Sequence, residues 1–289
     1  MAKRYYKQAK YIGLQTETKQ YIKRLSTFNR KLNPTDITDI DNFIAGLKQL
    51  NLWQNIIVYP LRSQHNIGSG ANVLSFGGIG KFDGIAINGP TWGSSGINFT
   101  ATNSQYIRIP NFLNSPVVAG FSMICLHQPD YTTAARALLA NDGATVNTRG
   151  FRINVQAHSS LGTSVNMLFA SFTSSPTGTA TGAASRSYAN YNTAAMHVNY
   201  VSFGESLTTG LASSINTTTN TGTKALPFFN NTTFNTMGIG ARNGLGAGID
   251  FFEGPMALMM IANRFISTAE YLNVYALIKT TIGKGLGLP

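Results

Sequence analysis

Phe151-Arg152-Ile153-Asn154-Val155-Gln156-Ala157-His158 alternates apolar and polar side chains without a fault. Successive strand side chains point to opposite faces, so this period predicts Phe151, Ile153, Val155 and Ala157 on a core face. Their neighbours then face solvent or another subunit, His158 among them, where a solvated imidazole is the default. Segments of similar character recur at 97–99, 106–109, 121–127, 137–140, 165–172, 197–203, 237–239 and 256–262, between turns rich in Gly, Asn, Ser and Thr. Many short strands without β-α-β alternation predict a mainly β fold, an antiparallel β-sandwich. The Thr/Ser/Gly-rich stretches 171–184 and 216–223 read as long loops.

The ends of the chain change period. Tyr21, Ile22, Leu25 and Phe28 form a helical stripe, with Thr16 as the expected cap of a helix reaching about residue 32. Asn33-Pro34 stops it, because the residue before proline avoids the α region. Thr35 is then read as the cap of a second helix carrying Ile37, Ile40, Ile44, Leu47 and Leu50. A hairpin of this size cannot bury both stripes alone, so it packs against the body or against copies of itself. At the other end Ser267-Thr268-Ala269-Glu270 is a capping box, followed by the stripe Tyr271, Val274, Tyr275 and Ile278, with Gly283 as the stop. The predicted organisation is a helical, basic N-terminal attachment or oligomerisation segment (1–55), then a β-sandwich (56–289) with a short C-terminal helix.

Charge separates these parts. Charged residues are 11% of the 289, against about 25% in an ordinary soluble domain. Residues 1–31 hold nine basic groups, Lys3, Arg4, Lys7, Lys10, Lys19, Lys23, Arg24, Arg30 and Lys31, against one acid, Glu17. They supply +8 of the net +11, so these nine are the candidate residues for docking an acidic partner. Between Phe151 and Lys224 the only charges are Arg152, Arg186, Glu205 and Lys224. Strands so poor in charge have few gatekeepers against edge pairing, which predicts that neighbouring chains cover part of this region.

Several classes are excluded. There is no apolar run of the ~18 residues that a membrane helix needs, and no apolar stretch behind Met1-Ala2-Lys3-Arg4 that would make a secretory signal. Cys125 stands alone, so neither an intrachain disulfide nor a cysteine zinc cage is available, and a reducing cytosol is the expected place of synthesis. Gly77-Gly78-Ile79-Gly80-Lys81-Phe82 fails as a phosphate loop because Phe82 stands where Ser or Thr is needed. His65, His127, His158 and His197 show no metal-ligand spacing. Asp250 and Glu253, three apart on an expected strand, would point to opposite faces and could not flank one substrate. No catalytic, cofactor or metal residue is assigned, and no enzyme is expected. Trp92, Tyr131 and Tyr191 are loop aromatics that could stack on a sugar ring.

The run Gly96-Ile97-Asn98-Phe99-Thr100-Ala101-Thr102-Asn103-Ser104-Gln105-Tyr106-Ile107-Arg108-Ile109-Pro110 resembles the opening strands of concanavalin A-like, laminin-G-like lectin domains. Phe121-Ser122-Met123-Ile124-Cys125-Leu126 is similar to their next core strand, and Phe252-Glu253-Gly254-Pro255-Met256 through Ser267-Thr268-Ala269-Glu270-Tyr271 to their closing strand and terminal helix. His197-Val198 and Ser214-Ile215-Asn216 stand where the family has its middle signatures. The resemblance, over roughly 70–280, implies a jelly-roll sandwich; the calcium and sugar ligands of true lectins do not map onto it. A short helical front before such a sandwich also resembles bacteriophage virion proteins. That implies a non-enzymatic structural protein, a capsid decoration, head-fibre or tail-fibre subunit, made in the host cytoplasm and resident in the virion. Its partners would be sister chains, a trimer by preference, other virion proteins and a host surface glycan. Two alternatives stand beside it: a carbohydrate-binding module, and a jelly-roll coat protein whose basic front neutralises nucleic acid. A body able to fold without residues 1–52 belongs to the first reading.

Overall fold

The last strand, Gly254–Ala262, shows how the chain is layered, because seven consecutive residues from Met256 to Ala262 are all buried. The computed structural model describes residues 13–110, 120–128, 136–140, 150–157, 165–173, 180–189, 195–203, 211–222, 236–241 and 250–289. Its strands are β1 (Ile56–Pro60), β2 (Asn72–Val73), β3 (Gly84–Ile87), β4 (Thr91–Gly93), β5 (Gly96–Phe99), β6 (Tyr106–Pro110), β7 (Phe121–His127) and β8 (Arg136–Ala140). They continue with β9 (Gly150–Ala157), β10 (Val165–Thr173), β11 (Ala180–Ala189), β12 (His197–Phe203), β13 (Leu211–Ile215), β14 (Thr218–Gly222), β15 (Thr236–Ile239) and β16 (Gly254–Ala262).

Two eight-stranded sheets result. The first runs β14-β13-β12-β7-β16-β5-β4, with β1 also paired to β16; the second runs β11-β10-β9-β8-β15-β6-β3-β2. Neighbouring strands pair antiparallel throughout, as in the register His197↔His127 to Phe203↔Phe121. Phe121, Met123 and Cys125 of β7 face the second sheet and share a core with its Ile107, Ile109, Leu139, Ile153 and Met237. The fold is a mainly β, two-sheet antiparallel sandwich, as the alternation predicts.

The first sheet is covered on its other face too. Ile124 and Leu126, between those inward residues, join Val58, Val198, Tyr200, Leu258 and Met260 in a second core built with the helices. These are α1 (Thr16–Thr27), α2 (Pro34–Gln49) and α3 (Thr268–Thr280). Their buried residues include Tyr21, Leu25, Ile40, Phe43, Ile44, Leu47, Tyr271, Val274 and Ile278. Of the two packings open to the front stripes, the structure shows the first: they lie on the body's own sheet. A sheet buried on both faces carries near-continuous apolar strands, which accounts for the unbroken burial of β1, β7 and β12.

Some local expectations need correction. Gln15, not Thr16, precedes α1 and makes no side-chain cap; Thr16 is simply its first residue. Asn33 caps α2, its Oδ1 accepting the Asp36 amide at 2.8 Å, while Pro34 fills the first helical position, where no amide donor is needed. Ser267 and Glu270 do form the capping box. The stretch 171–184 is not one long loop: β10 runs to Thr173 and β11 begins at Ala180, held by nine residue pairs with β10. Likewise Thr218–Gly222 is a strand, closed onto β13 by a two-residue turn with Asn216 at φ 51°. Neither strand has the apolar alternation that would announce it; backbone pairing alone makes them. Asn154 is 2% exposed, so this polar neighbour of Ile153 and Val155 does not face solvent. His158 lies outside the described residues.

Candidate functional site

A recess of about 240 Å³ opens where α1 meets the turn after α2 and the loop after β2. Its aromatic lining residues, Tyr21, Trp53 and Phe76, are buried and pack on one another. Phe76 lies nearly parallel to Trp53, centroids 6.3 Å apart at 17°, and takes Tyr21 edge-on at 5.0 Å. Phe76 is fixed by paired backbone hydrogen bonds with Val58, 2.7 and 2.9 Å long. Gly77 and Gly78 follow because no side chain fits there. A Cβ on Gly77 would lie 2.0 Å from the Ile56 carbonyl oxygen, and one on Gly78 2.4 Å from that of Trp53. The glycine-rich loop therefore serves close backbone packing, with the Gly78 amide donating to Trp53 O at 2.9 Å.

Most charges around the recess are paired within the protein. Arg24 meets the Asp83 carboxylate at 2.5 Å and donates to Ser75 O at 2.6 Å, and Asp83 also accepts the Ser75 amide at 2.9 Å. Glu17 meets Lys48 at 2.5 Å. Burial pushes the Glu17 carboxyl up, but the hydrogen bond and charge of Lys48 outweigh it and leave it below the usual carboxylate range. Burial holds the Tyr21 hydroxyl protonated, its pKa well above the ordinary value. Three rim side chains differ. Gln20, Gln54 and Lys81 are exposed, and among the described residues nothing engages their amide or ammonium groups.

The sequence-derived candidates are scattered. Lys19, Lys23 and Lys31 are exposed, whereas Arg24 is tied to Asp83 and Arg30 donates to Ser63 O at 2.7 Å. Lys3, Arg4, Lys7 and Lys10 lie outside the described residues, as do Tyr131 and Tyr191. Trp92 is half-buried against the sandwich core, its indole N–H donating to Gly70 O at 3.0 Å. Sequence reasoning missed the recess itself. Its residues come from three separate segments, 17–24, 53–54 and 76–81, so no local pattern announced it.

Several other titratable groups among the described residues are held in structural contacts. Asp250 and Glu253 are not on a strand: they precede β16, and Glu253 accepts the Ala101 amide at 2.5 Å. His65 is buried with its Nε2 3.8 Å from Asp36 Oδ1, its pKa pushed down to about 3 by burial and then by Arg62. Arg62 donates to the carbonyls of Ser94, Ile282 and Lys284, tying the C-terminal turn to residues 61–67. His127 and His197 are cross-strand partners, and His197 Nδ1 lies 3.0 Å from the Asn216 amide nitrogen. Cys125 is buried and its thiol pushed up. Among the described residues no three metal-ligating side chains gather, and no helix is long and apolar enough to cross a membrane.

No family model matches the chain, and no curated sequence is similar to it. Solved structures are similar in shape. Trypanosoma rangeli sialidase, in complex with a difluorinated nononic acid, superposes over 85% of this chain and 40% of its own, with a TM-score of 0.51 at 8% identity. The CBM40 of Ruminococcus gnavus IT-sialidase, bound to α2,3-sialyllactose, covers 54% of this chain and 83% of its own (TM-score 0.42, 11% identity). Domain 4 of a Geobacillus stearothermophilus arabinanase, with arabinotriose, covers 76% and 87% (TM-score 0.40, 15% identity). At 8% identity the sialidase likeness is one of fold alone: a two-sheet antiparallel β architecture.

Proposed function

We propose that this chain is a non-enzymatic carbohydrate-binding module, with the recess between α1 and the 76–81 loop as its ligand seat. One observation carries this reading: the unengaged amides of Gln20 and Gln54 stand at the rim of a recess whose inner side is the buried Tyr21, Trp53 and Phe76. A sugar presents a ring of hydroxyls, which those amides can meet, and an apolar C–H face, which the small ring area left open can touch. The 240 Å³ volume lies below the roughly 300–1,000 Å³ of drug-sized pockets, so it takes one sugar unit, not a buried oligosaccharide. Trp53 and Trp92 are the two tryptophans, so in a Trp92→Phe background the indole emission reports on the recess alone. A neutral glycan that hits on an array should change that emission saturably, and Gln54→Ala should weaken the response. An empty array with a flat titration overturns the reading.

A phage structural subunit, displayed on the virion with sister chains and virion proteins as partners, is the second reading. It is supported by the segregated charge of residues 1–31. Sedimentation of the purified full chain tests it: a trimer supports it, and a strict monomer argues for the free-standing module.

A further inference from the structure

Resting on the carbohydrate reading above, we infer that the recess selects a sugar bearing one carboxylate, a uronic-acid type, and that Lys81 is the residue that reads it. The argument is a charge balance. Glu17 is neutralised by Lys48, and Arg24 by Asp83, each pair at 2.5 Å. Lys81 is left as the one lining cation with no acid beside it among the described residues. Among the described residues the lining therefore carries a net charge of +1, with the unpaired charge at the rim.

The position of that charge follows from the loop. Gly77 and Gly78 hold the backbone flat against residues 53–57, as their blocked Cβ positions show. Beyond them the loop is anchored again where Ser75 Oγ accepts the Phe82 amide at 3.0 Å and Tyr59 donates to Phe82 O at 2.6 Å. Lys81 thus sits at the rim of the recess on a loop pinned on both sides. A flexible point charge there can pair with a single carboxylate, but it does not offer the two parallel hydrogen bonds of an arginine fork. The arginine present, Arg24, is already committed to Asp83 and Ser75.

The matched ligands methyl β-glucuronide and methyl β-glucoside differ only in the carboxylate and separate this inference from the reading beneath it. Full-length Trp92→Phe protein is titrated with each, at low and high salt, beside the same protein carrying Lys81→Gln. An exposed ion pair is worth a factor of up to about five in affinity. The glucuronide should bind more tightly by roughly that factor at low salt, lose the advantage at high salt, and lose it in Lys81→Gln, each read as the ratio of glucuronide to glucoside affinity on the same protein. Equal binding of both sugars to the parent overturns the carboxylate inference and leaves the carbohydrate reading standing. A glucuronide preference that survives Lys81→Gln overturns the role of Lys81. Binding of neither sugar overturns the inference, and the array decides the broader reading separately.

Discussion

The ring of Tyr271 on α3 stacks on that of Tyr200 on β12, centroids 4.4 Å apart and 11° from parallel. Both hydroxyls reach backbone carbonyls: Tyr271 donates to Asn216 O at 2.7 Å, and Tyr200 donates to Ile266 O. The pair bolts the C-terminal helix to the sheet at the β13–β14 turn. Tyr271→Phe keeps the stack and loses one net hydrogen bond, so a loss of about 1 kcal/mol is expected. Tyr271→Ala should lose about 3–5 kcal/mol, the usual range for removing a buried aromatic ring. Urea unfolding of the two variants checks the gap; equal losses would show that the ring contact contributes nothing.

Removing the helical layer should not release a soluble sandwich. Deletion of residues 1–52 would bare Ile56, Val58, Ile124, Leu126, Leu258 and Met260, which the front helices help to cover. At roughly 1.5–3 kcal/mol for each such side chain, the loss rivals the whole ~5–15 kcal/mol of net stability. This reverses the sequence-based expectation of a body that folds without its front. The truncated chain should aggregate or bind a hydrophobic dye; a monodisperse, cooperatively melting product would refute the shared core.

Gly78 should be intolerant of even one methyl group. An alanine Cβ there meets Trp53 O at 2.4 Å and Gln54 Cα at 2.6 Å, both backbone positions that cannot swing aside. Gly78→Ala is expected to cost about 1–3 kcal/mol and to shift the Trp53 emission. Gly70→Ala is the comparison for added bulk, since a Cβ there meets nothing within 4 Å, although its φ of +74° carries its own backbone strain. The tests are a thermal melt and an emission spectrum; an unshifted spectrum for Gly78→Ala would disprove the close approach.

Acid should destabilise the protein well above the carboxylate range. His65 and His127 have folded pKa values of about 3, against 6.5 when free, because burial disfavours their charged forms. Below about pH 6.5 the unfolded chain binds protons that the native state refuses, so stability falls steadily toward pH 3. Asp36 works in the opposite sense, since burial raises its pKa and native protonation is favoured, but only near the carboxylate range. The melting temperature should therefore drop between pH 7.5 and 5. A His65→Asn variant should show a shallower slope, and a flat parent profile would contradict the burial of these imidazoles.

The sandwich was legible because period two survives wherever one strand face differs from the other. β7 and β12, buried on both faces, were legible instead as largely apolar runs at 121–127 and 197–203, and α3 was legible by the capping box from Ser267 to Glu270. β11 and β14 were not legible: ATGAASRSYA and TTNTG carry no apolar alternation, and pairing with β10 and β13 makes them strands. The capping errors were local, since a competing Asn33 beside Pro34 outranks Thr35 as acceptor for the Asp36 amide.

By itself the sequence determined the fold class, the helical character of both ends and the concentration of positive charge in residues 1–31. Those are properties of neighbours along the chain, where period, caps and charge counts act. Only the tertiary structure decided that the front helices cover one sheet of the body, and that Tyr21, Trp53, Phe76 and Lys81 meet around one recess. That meeting depends on which faces are left apolar once two sheets have closed on each other, a property of distant segments that no local pattern encodes.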